Sequence, residues 1–250
     1  MAMAGPELRE PIIGISSMAT RLVLGELADA YGAQYRQPVA IVAVGGVDAI
    51  RRIEAGEAFD FAVLAADAID RLGRAGYVDA SSRVDIARSP IAVAVAAGAR
   101  RFDIGDECAV RDAVLDARST GYSTGPSGAH LLQLFERWGI ADHIRPRLVQ
   151  APIGVAVGTL IARGDVELGF QQLSELMHVA GIEVLGPLPP AIRAITVFAG
   201  ATCVASTRPG VARDVLAFFA SPAAEAARKR HGLEPARAAE TRDGITTRST

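Results

Sequence analysis

Four turns rich in glycine, serine and proline have the clearest capacity for chemistry in this sequence. They are residues 16–17, 45–46, 125–128 and 152–154, and each leads into a segment with the apolar spacing of a helix. The first N–H groups of a helix have no acceptor within the helix, and the helix dipole makes that end positive. Small residues let an anion approach these N–H groups, and serine hydroxyls add further donors. The four turns therefore predict an anion-binding site.

The third turn leads into the segment with the strongest helical pattern. Its apolar residues recur at the spacing of one helical face: Leu131, Leu134, Phe135 and Trp138. Ser123, Thr124 and Ser127 stand at the start of this predicted helix, where they either cap its free N–H groups or bind an anion. Because tight turns favour glycine and serine in any α/β protein, the residues leave both interpretations open.

Composition narrows the class of protein. The chain has 250 residues, half of them apolar, which is enough for one large domain or two small ones. A net charge of −2 gives no reason to expect a nucleic-acid partner or an acidic membrane surface. The two cysteines form neither a disulfide framework nor a zinc motif, and we expect no metal and no cofactor.

The sequence leaves two possible compartments for the protein. The N-terminal residues lack the basic and apolar regions of a secretory signal, and no apolar run is long enough to span a bilayer. The chain is therefore expected to be cytoplasmic as it stands, or periplasmic if a signal was removed from it.

Predicted strands and helices alternate along the chain. Three strand–helix units come first, and the alternation restarts after an apolar strand at residues 91–97. This pattern predicts an α/β fold with two lobes and a cleft between them. We assign residues 1–88 and 183–250 to lobe 1 and residues 89–182 to lobe 2. Residues 233–250 are polar and are expected to form a disordered tail.

Local patterns also assign individual side chains. Val47 and Ile153 are predicted to face inward from the helices that follow their turns. Arg228, with the basic residues after it, is interpreted as complementing the dipole of the last helix. Glu175 and Asp67 are interpreted as helix caps.

Several segments give the sequence a resemblance to a known family. They are residues 13–18 (IGISSM), 53–56 (IEAG), 59–67 (FDFAVLAAD), 125–128 (GPSG) and 230–233 (RHGL). In this order and spacing, the chain resembles the molybdate-binding proteins of ABC importers, which are type II periplasmic binding proteins. The resemblance implies two Rossmann-like lobes with mixed, mostly parallel sheets, joined by a hinge. It also implies a monomer that closes on a small anion and has an importer permease as a possible partner.

The resemblance also implies site residues. In that family two serines, backbone N–H groups at two turns of the second lobe and a tyrosine hold the oxyanion. Ser17 corresponds to the first serine, glycines and a valine at residues 45–47 replace the second, and the tyrosine position falls near Gln171 or Gln172. Amides both donate and accept, so they suit an organic carboxylate as well as an oxyanion. The candidate ligand-binding residues are Ser16, Ser17, Gly46, Val47, Ser127, Gly128, Ile153, Gly154 and Gln172.

An enzyme on the same scaffold is a second hypothesis. Some proteins similar in fold isomerise small organic acids, aconitate isomerase among them. Such a reaction needs an acid–base group near neutrality and donors for carboxylates. His130, in the first turn of the helix after the third turn, is the first candidate and Tyr122 is the second. Arg21 is a candidate partner for a carboxylate.

Three hypotheses on function therefore stand. The first is a solute-binding protein that closes on a molybdate-type oxyanion or a small organic carboxylate and serves an ABC importer. The second is an isomerase of a small carboxylic acid, and the third is a cytoplasmic ligand sensor without a transporter. Because the sequence shows no complete catalytic constellation, it favours binding over catalysis.

Overall fold

A computed structural model describes residues 9–236 of the chain, and strands alternate with helices throughout this part. The strands are β1 (Ile12–Ser17), β2 (Val39–Val44), β3 (Phe61–Ala65), β4 (Val84–Ala96), β5 (Thr120–Tyr122), β6 (Leu148–Gln150), β7 (Leu168–Gln172), β8 (Ile182–Pro187), β9 (Ile195–Thr202) and β10 (Glu234–Pro235). The α-helices are α1 (Arg21–Tyr35), α2 (Gly46–Glu54), α3 (Ala66–Arg74), α4 (Glu107–Asp116), α5 (Pro126–Arg137), α6 (Ala141–Ile144), α7 (Val157–Arg163), α8 (Leu173–Leu176), α9 (Pro209–Ala220) and α10 (Glu225–Arg230). Short 3-10 helices occupy Met18–Thr20, Ala80–Ser82, Arg145–Arg147, Pro190–Ile192 and Pro222–Ala224.

The first sheet is built on the three strand–helix units. β1 lies between β2 and β3, and both pairings are parallel, as the sequence predicts. β9 returns from late in the chain and pairs antiparallel with both β3 and β4. The sheet is therefore mixed, with its parallel part at one side.

The second sheet shares a strand with the first. β5 pairs in parallel with β6 and β7, while β7 and β8 pair antiparallel with the second half of β4. β4 is therefore a 13-residue strand that belongs to both sheets. The sequence predicted only residues 91–97 as this strand, because Ser89 and Pro90 interrupt the apolar pattern. Residues 84–90 continue the strand since they pair with β9, which lies far away in the sequence.

Helices cover both faces of each sheet. The first sheet is packed by α1 and α9 on one face and by α2 and α3 on the other. The second sheet is packed by α4 and α5 on one face and by α7 and α8 on the other. Buried strands with both faces covered explain the near-continuous apolar runs in the sequence. Among residues 9–236, no helix has the length and apolar character needed to cross a bilayer.

The division into lobes follows strand pairing only in part. β8 pairs with the second half of β4, which groups Ile182–Pro187 with the second sheet. The expected lobe boundaries at residues 88 and 182 stay a prediction. At the C-terminal end, Leu233 is buried and β10 pairs with β4, so these residues are not the disordered tail that we expected. The rest of that expected tail, residues 237–250, lies outside the described residues.

Arg228 has a different role from the one predicted. It is only 4% exposed, and its Nη1 and Nη2 atoms donate to the carbonyls of Phe219 and Ser221 at 2.9 and 3.0 Å. These carbonyls lie at the end of α9, where backbone acceptors lack helical partners. Arg228 therefore complements the C-terminal end of α9 and not that of its own helix.

Candidate functional site

A cavity of about 500 Å³ lies between the two sheets. Three helices begin at its wall, namely α2, α3 and α5, with 9, 9 and 12 residues. Their first N–H groups have no acceptor within the helix, and the positive ends of their dipoles meet at the cavity. The wall therefore offers backbone donors from both sheets, and two of these helix starts, those of α2 and α5, follow turns that the sequence analysis selected.

Ser17 closes the end of β1 at the cavity wall. Its Oγ is buried and has no hydrogen-bond partner among the described residues, while Thr20 Oγ1 donates to the Ser17 carbonyl at 3.2 Å and fixes the turn. Side chains alternate along a strand, so Ser16 points away from Ser17. Ser16 is fully buried and does not line the cavity, although we predicted it as a ligand-binding residue.

At the cavity wall, α2 contributes backbone groups and no polar side chain. Gly46 and Val47 both line it, and Gly45 caps the helix without any side-chain hydrogen bond. Val47 is 66% exposed, so the prediction that it faces inward is wrong. Ala49 and Ile53 fill the buried face of this nine-residue helix instead, which leaves Val47 at the rim.

The turn before α5 holds a pair of hydroxyls. Ser127 is buried and lines the cavity, and its Oγ lies 2.9 Å from Ser123 Oγ. Ser123 Oγ also accepts from the Gly125 N–H at 3.3 Å. No side chain caps α5, because Gly125 occupies the N-cap position, so the capping interpretation is wrong. If Ser123 donates to Ser127, the Ser127 proton is free to point to a ligand.

Gly128 supports this turn without lining the cavity. A Cβ atom at Gly128 would lie 1.8 Å from the carbonyl oxygen of Ser123, so only glycine lets the turn fold onto the helix. Tyr122 also does not line the cavity, and its partly buried ring packs against the core of the second sheet. The structure therefore does not place Tyr122 as an acid–base group.

The fourth turn differs from its prediction. Gly154 lines the cavity and has a φ of +79°, a conformation that favours glycine, and α7 begins only at Val157. Ile153 is 72% exposed, so the prediction that it faces inward is wrong. Its Cγ2 lies 3.6 Å from the position of a Cβ on Gly45. Ile153 therefore approaches the turn before α2, and it does not line the cavity, although we predicted it as a ligand-binding residue.

Gln172 ends β7 at the cavity wall and is 2% exposed. Its Nε2 donates to Thr196 Oγ1 at 2.6 Å, and its Oε1 has no partner among the described residues. A hydroxyl both donates and accepts, so a 180° rotation of the amide would keep the bond to Thr196. The same residue can therefore turn either an acceptor or two N–H donors to a ligand.

Glu175 is a partly buried cavity residue whose importance the sequence analysis missed. Gln171 Oε1 accepts from the buried Val157 N–H at 2.7 Å, and Gln171 Nε2 donates to Glu175 Oε1 at 2.8 Å. Burial raises the pKa of Glu175 to about 7, and the hydrogen bond from Gln171 opposes this rise. The capping interpretation is wrong, because Gln172 is the N-cap residue of α8.

Few charged side chains share the cavity wall. Among the described lining residues, Arg71 is the only arginine or lysine, and Asp67 is exposed beside it on α3. Asp67 does not cap α3, since the N-cap residue is Ala65. His130 lines the cavity with its Nε2 buried and without a partner in the described chain. Arg21 is exposed and does not line the cavity, so the guanidinium available to a ligand is that of Arg71.

The raised pKa of Glu175 predicts a pH-dependent stability. The folded chain keeps a proton on Glu175 up to about pH 7, whereas the unfolded chain loses it near the ordinary value of 4.5. This contribution is fully present below pH 4.5 and is lost as the pH rises through about 7, which amounts to about 3 kcal/mol. Urea unfolding from pH 4.5 to 8 should therefore show Glu175→Gln gaining stability relative to the parent chain as the pH rises. Parallel curves for the two proteins would contradict the assignment.

Between residues 9 and 236, no group of three or more His, Cys, Asp or Glu side chains could hold a metal ion. Three residues that line the cavity, from both sheets, carry a buried polar atom without a partner among the described residues: Ser17 Oγ, His130 Nε2 and Gln172 Oε1. Buried polar atoms are normally hydrogen-bonded, because an unsatisfied group loses its solvation without compensation. Ser16 Oγ is unpartnered as well, but it does not line the cavity, so the grouping of the other three atoms at one cavity is what indicates a site for a polar ligand.

The amino-acid sequence matches the family model of the bacterial extracellular solute-binding proteins over residues 14–234. The chain belongs to this family.

Individual relatives refine this placement. The chain is 36% identical to an aconitate isomerase from Pseudomonas sp. over 185 residues, which are 74% of this chain and 70% of that protein. The periplasmic molybdate-binding protein of Azotobacter vinelandii is 20% identical with a TM-score of 0.75, covering 89% of this chain and 98% of that chain. The sulfate-binding protein of Mycobacterium tuberculosis is 18% identical with a TM-score of 0.72, covering 91% and 87%.

These similarities confirm the predicted fold. The solute-binding protein described here has the mixed α/β fold of type II periplasmic binding proteins. At such low identity the solved structures show the fold alone, and one fold supports many ligands. The ligand has to be argued from the cavity.

Proposed function

We propose that this solute-binding protein closes its two sheets around a small organic acid that carries more than one carboxylate. The observation that carries the proposal is the set of unpartnered polar atoms on the cavity wall: Ser17 Oγ, His130 Nε2 and Gln172 Oε1. With the N-termini of α2 and α5, they surround the cavity from both sheets. A carboxylate at each end of a ligand would give these groups charged partners.

Size and chemistry favour an organic acid over a tetrahedral oxyanion. A cavity of about 500 Å³ lies in the range that accommodates organic ligands, about 300–1,000 Å³. Gly45 and Gly46 supply no hydroxyl to the wall, and Gln171 uses both of its polar atoms within the protein. Arg71 adds a guanidinium, whose planar donors match a carboxylate in geometry.

Isomerisation of such an acid is a second candidate function. It is favoured by Glu175, a carboxyl group in the cavity wall with a pKa of about 7, and by the 36% identity to a protein named aconitate isomerase. Capture for an ABC importer, with a permease as partner, and ligand sensing are the corresponding functions without turnover. All of them require the same binding event.

A thermal-shift screen tests the binding event. The panel is cis-aconitate, trans-aconitate, citrate, succinate, molybdate, tungstate, sulfate and phosphate. A ligand at 100 times its Kd stabilises the fold by about 2.7 kcal/mol, which raises the Tm by several degrees. We expect shifts with the tricarboxylates. A response to molybdate and tungstate alone would contradict the proposal and establish an oxyanion site.

Alanine variants of neighbouring serines test the site itself. Ser17→Ala and Ser127→Ala each remove a hydroxyl from the cavity wall, and each should weaken carboxylate binding about tenfold or more. Ser16→Ala is a matched control, because the Ser16 hydroxyl is fully buried and does not line the cavity. Isothermal titration of the three variants measures the difference. Equal affinities of all three variants for the carboxylate would contradict the assignment of Ser17 and Ser127 to the binding site.

A further inference from the structure

Glu175 differs from Asp67, the other carboxyl residue on the cavity wall, in burial and in bonding. Asp67 is exposed at the start of α3, whereas Glu175 is partly buried and bonded to Gln171. We propose that Glu175 is a catalytic acid–base residue that moves a proton between two carbon atoms of the bound carboxylate. This inference rests on the proposed function, because it requires the organic acid in the cavity.

A buried hydrogen-bond chain orients Glu175. The Val157 N–H can only donate, so it fixes Oε1 of Gln171 as the acceptor and turns Nε2 to Glu175. Nε2 can only donate as well, so Glu175 Oε1 is the acceptor of that bond. No described residue donates to Glu175 Oε2. Oε2 is therefore the oxygen left to carry the proton of the neutral carboxyl group, and the proposed transfer requires it to face the ligand.

The protonation of Glu175 suits a two-way transfer. A pKa of about 7 leaves both the carboxylate and the acid populated near neutrality, which is the condition for an efficient acid–base group. Burial is the main cause and Gln171 the opposing one. The other titratable side chains along the cavity wall are Asp67, Arg71 and His130.

The step is balanced without a cofactor. Ionised Glu175 removes a proton from a methylene carbon adjacent to a carbon–carbon double bond, so a C–H bond breaks and an O–H bond forms on Oε2. The electron pair spreads over the three allylic carbons and the attached carboxylate, where Ser127 and the N–H groups of the helix starts stabilise it. The O–H bond then breaks and the proton returns to the far alkene carbon. The double bond has moved, and it can re-form with either geometry.

Proton NMR with cis-aconitate as the probe tests this step. The parent chain should convert cis-aconitate to trans-aconitate, and Glu175→Gln should reduce the rate about 10²- to 10⁴-fold. Glutamine mimics the neutral acid in shape, so binding of trans-aconitate should stay within about threefold. Glu183→Gln is the matched control, since Glu183 lies on β8, pairs with Arg101 and does not line the cavity. It should retain the parent rate.

The outcomes separate the two proposals. No calorimetric binding of any carboxylate by the parent chain would overturn the proposed function and this inference together. Binding without conversion by the parent chain, or conversion retained by a folded Glu175→Gln variant, would overturn the inference alone. The parent kcat/KM should also rise with pH through about 7, as the base form of Glu175 becomes populated. A flat profile from pH 5.5 to 8.5 would contradict the role of Glu175.

Discussion

Replacing Gly128 with alanine should lower the free energy of unfolding by about 3 kcal/mol, near the upper end for an overpacked position. Side chains in a helix point back towards its N-terminus, and here the new Cβ would lie 1.8 Å from the carbonyl oxygen of Ser123. A backbone atom cannot rotate away as a flexible side chain would, so the whole turn must shift. Urea unfolding measures the loss.

The same change should weaken carboxylate binding about a hundredfold. Moving the turn displaces Ser127 and the N–H groups at the start of α5, and losing two hydrogen bonds to a charged ligand corresponds to about 3 kcal/mol. Gly25→Ala is the matched control, because a Cβ at Gly25 in α1 meets no atom within 4 Å and Gly25 does not line the cavity. Similar loss of stability in both variants would show that the close approach at Gly128 does not control the turn.

Replacing Arg228 with methionine should destabilise the fold by about 3 kcal/mol. Methionine fills much of the same volume, so the loss comes from the buried hydrogen bonds to the carbonyls of Phe219 and Ser221. Those carbonyls end α9. The Ser221 carbonyl also accepts from the Ala224 N–H at 3.1 Å, so most of the loss falls on the Phe219 carbonyl. Denaturant unfolding at constant pH measures the change.

The adjacent Lys229 provides the control for this substitution. Lys229 is exposed and pairs with Glu225 at the i, i+4 spacing, an interaction worth less than about 0.5 kcal/mol. Lys229→Met should therefore leave the unfolding midpoint nearly unchanged. Equal losses for the two variants would show that the buried bonds of Arg228 do not hold α9 to α10.

Local patterns in the sequence were sufficient for the layout of the fold. Apolar runs and helical spacing predicted the alternation of strands and helices, because these signals come from residues close together in the chain. The turns at Ser17, Gly46 and Ser127 were placed correctly at one cavity, since strand ends and helix starts meet at one edge of a sheet. Their ligand-binding roles stay predictions.

Features that depend on distant contacts were missed. The raised pKa of Glu175 results from burial. Glu175 is oriented by Gln171, which in turn accepts a hydrogen bond from the Val157 N–H at the start of α7. Arg228 is buried because the chain folds it under the end of α9. Neither environment is visible in a window of neighbouring residues. The exposed position of Ile153 follows from the left-handed conformation of Gly154, which delays the start of α7.

The long strand β4 has a mechanical consequence. It pairs with β9 up to Pro90 and with β7 and β8 beyond it, so one continuous strand connects the two sheets. Proline has no N–H group, so Pro90 cannot donate a hydrogen bond where the two sheets meet, and the next residue, Ile91, donates to the Ala194 carbonyl at 3.1 Å. Any rotation about that point changes the spacing of the outer helices as well as the cavity. A partner protein that bound the outer helices of both sheets would thus distinguish the liganded from the unliganded state by their spacing, without contacting the ligand.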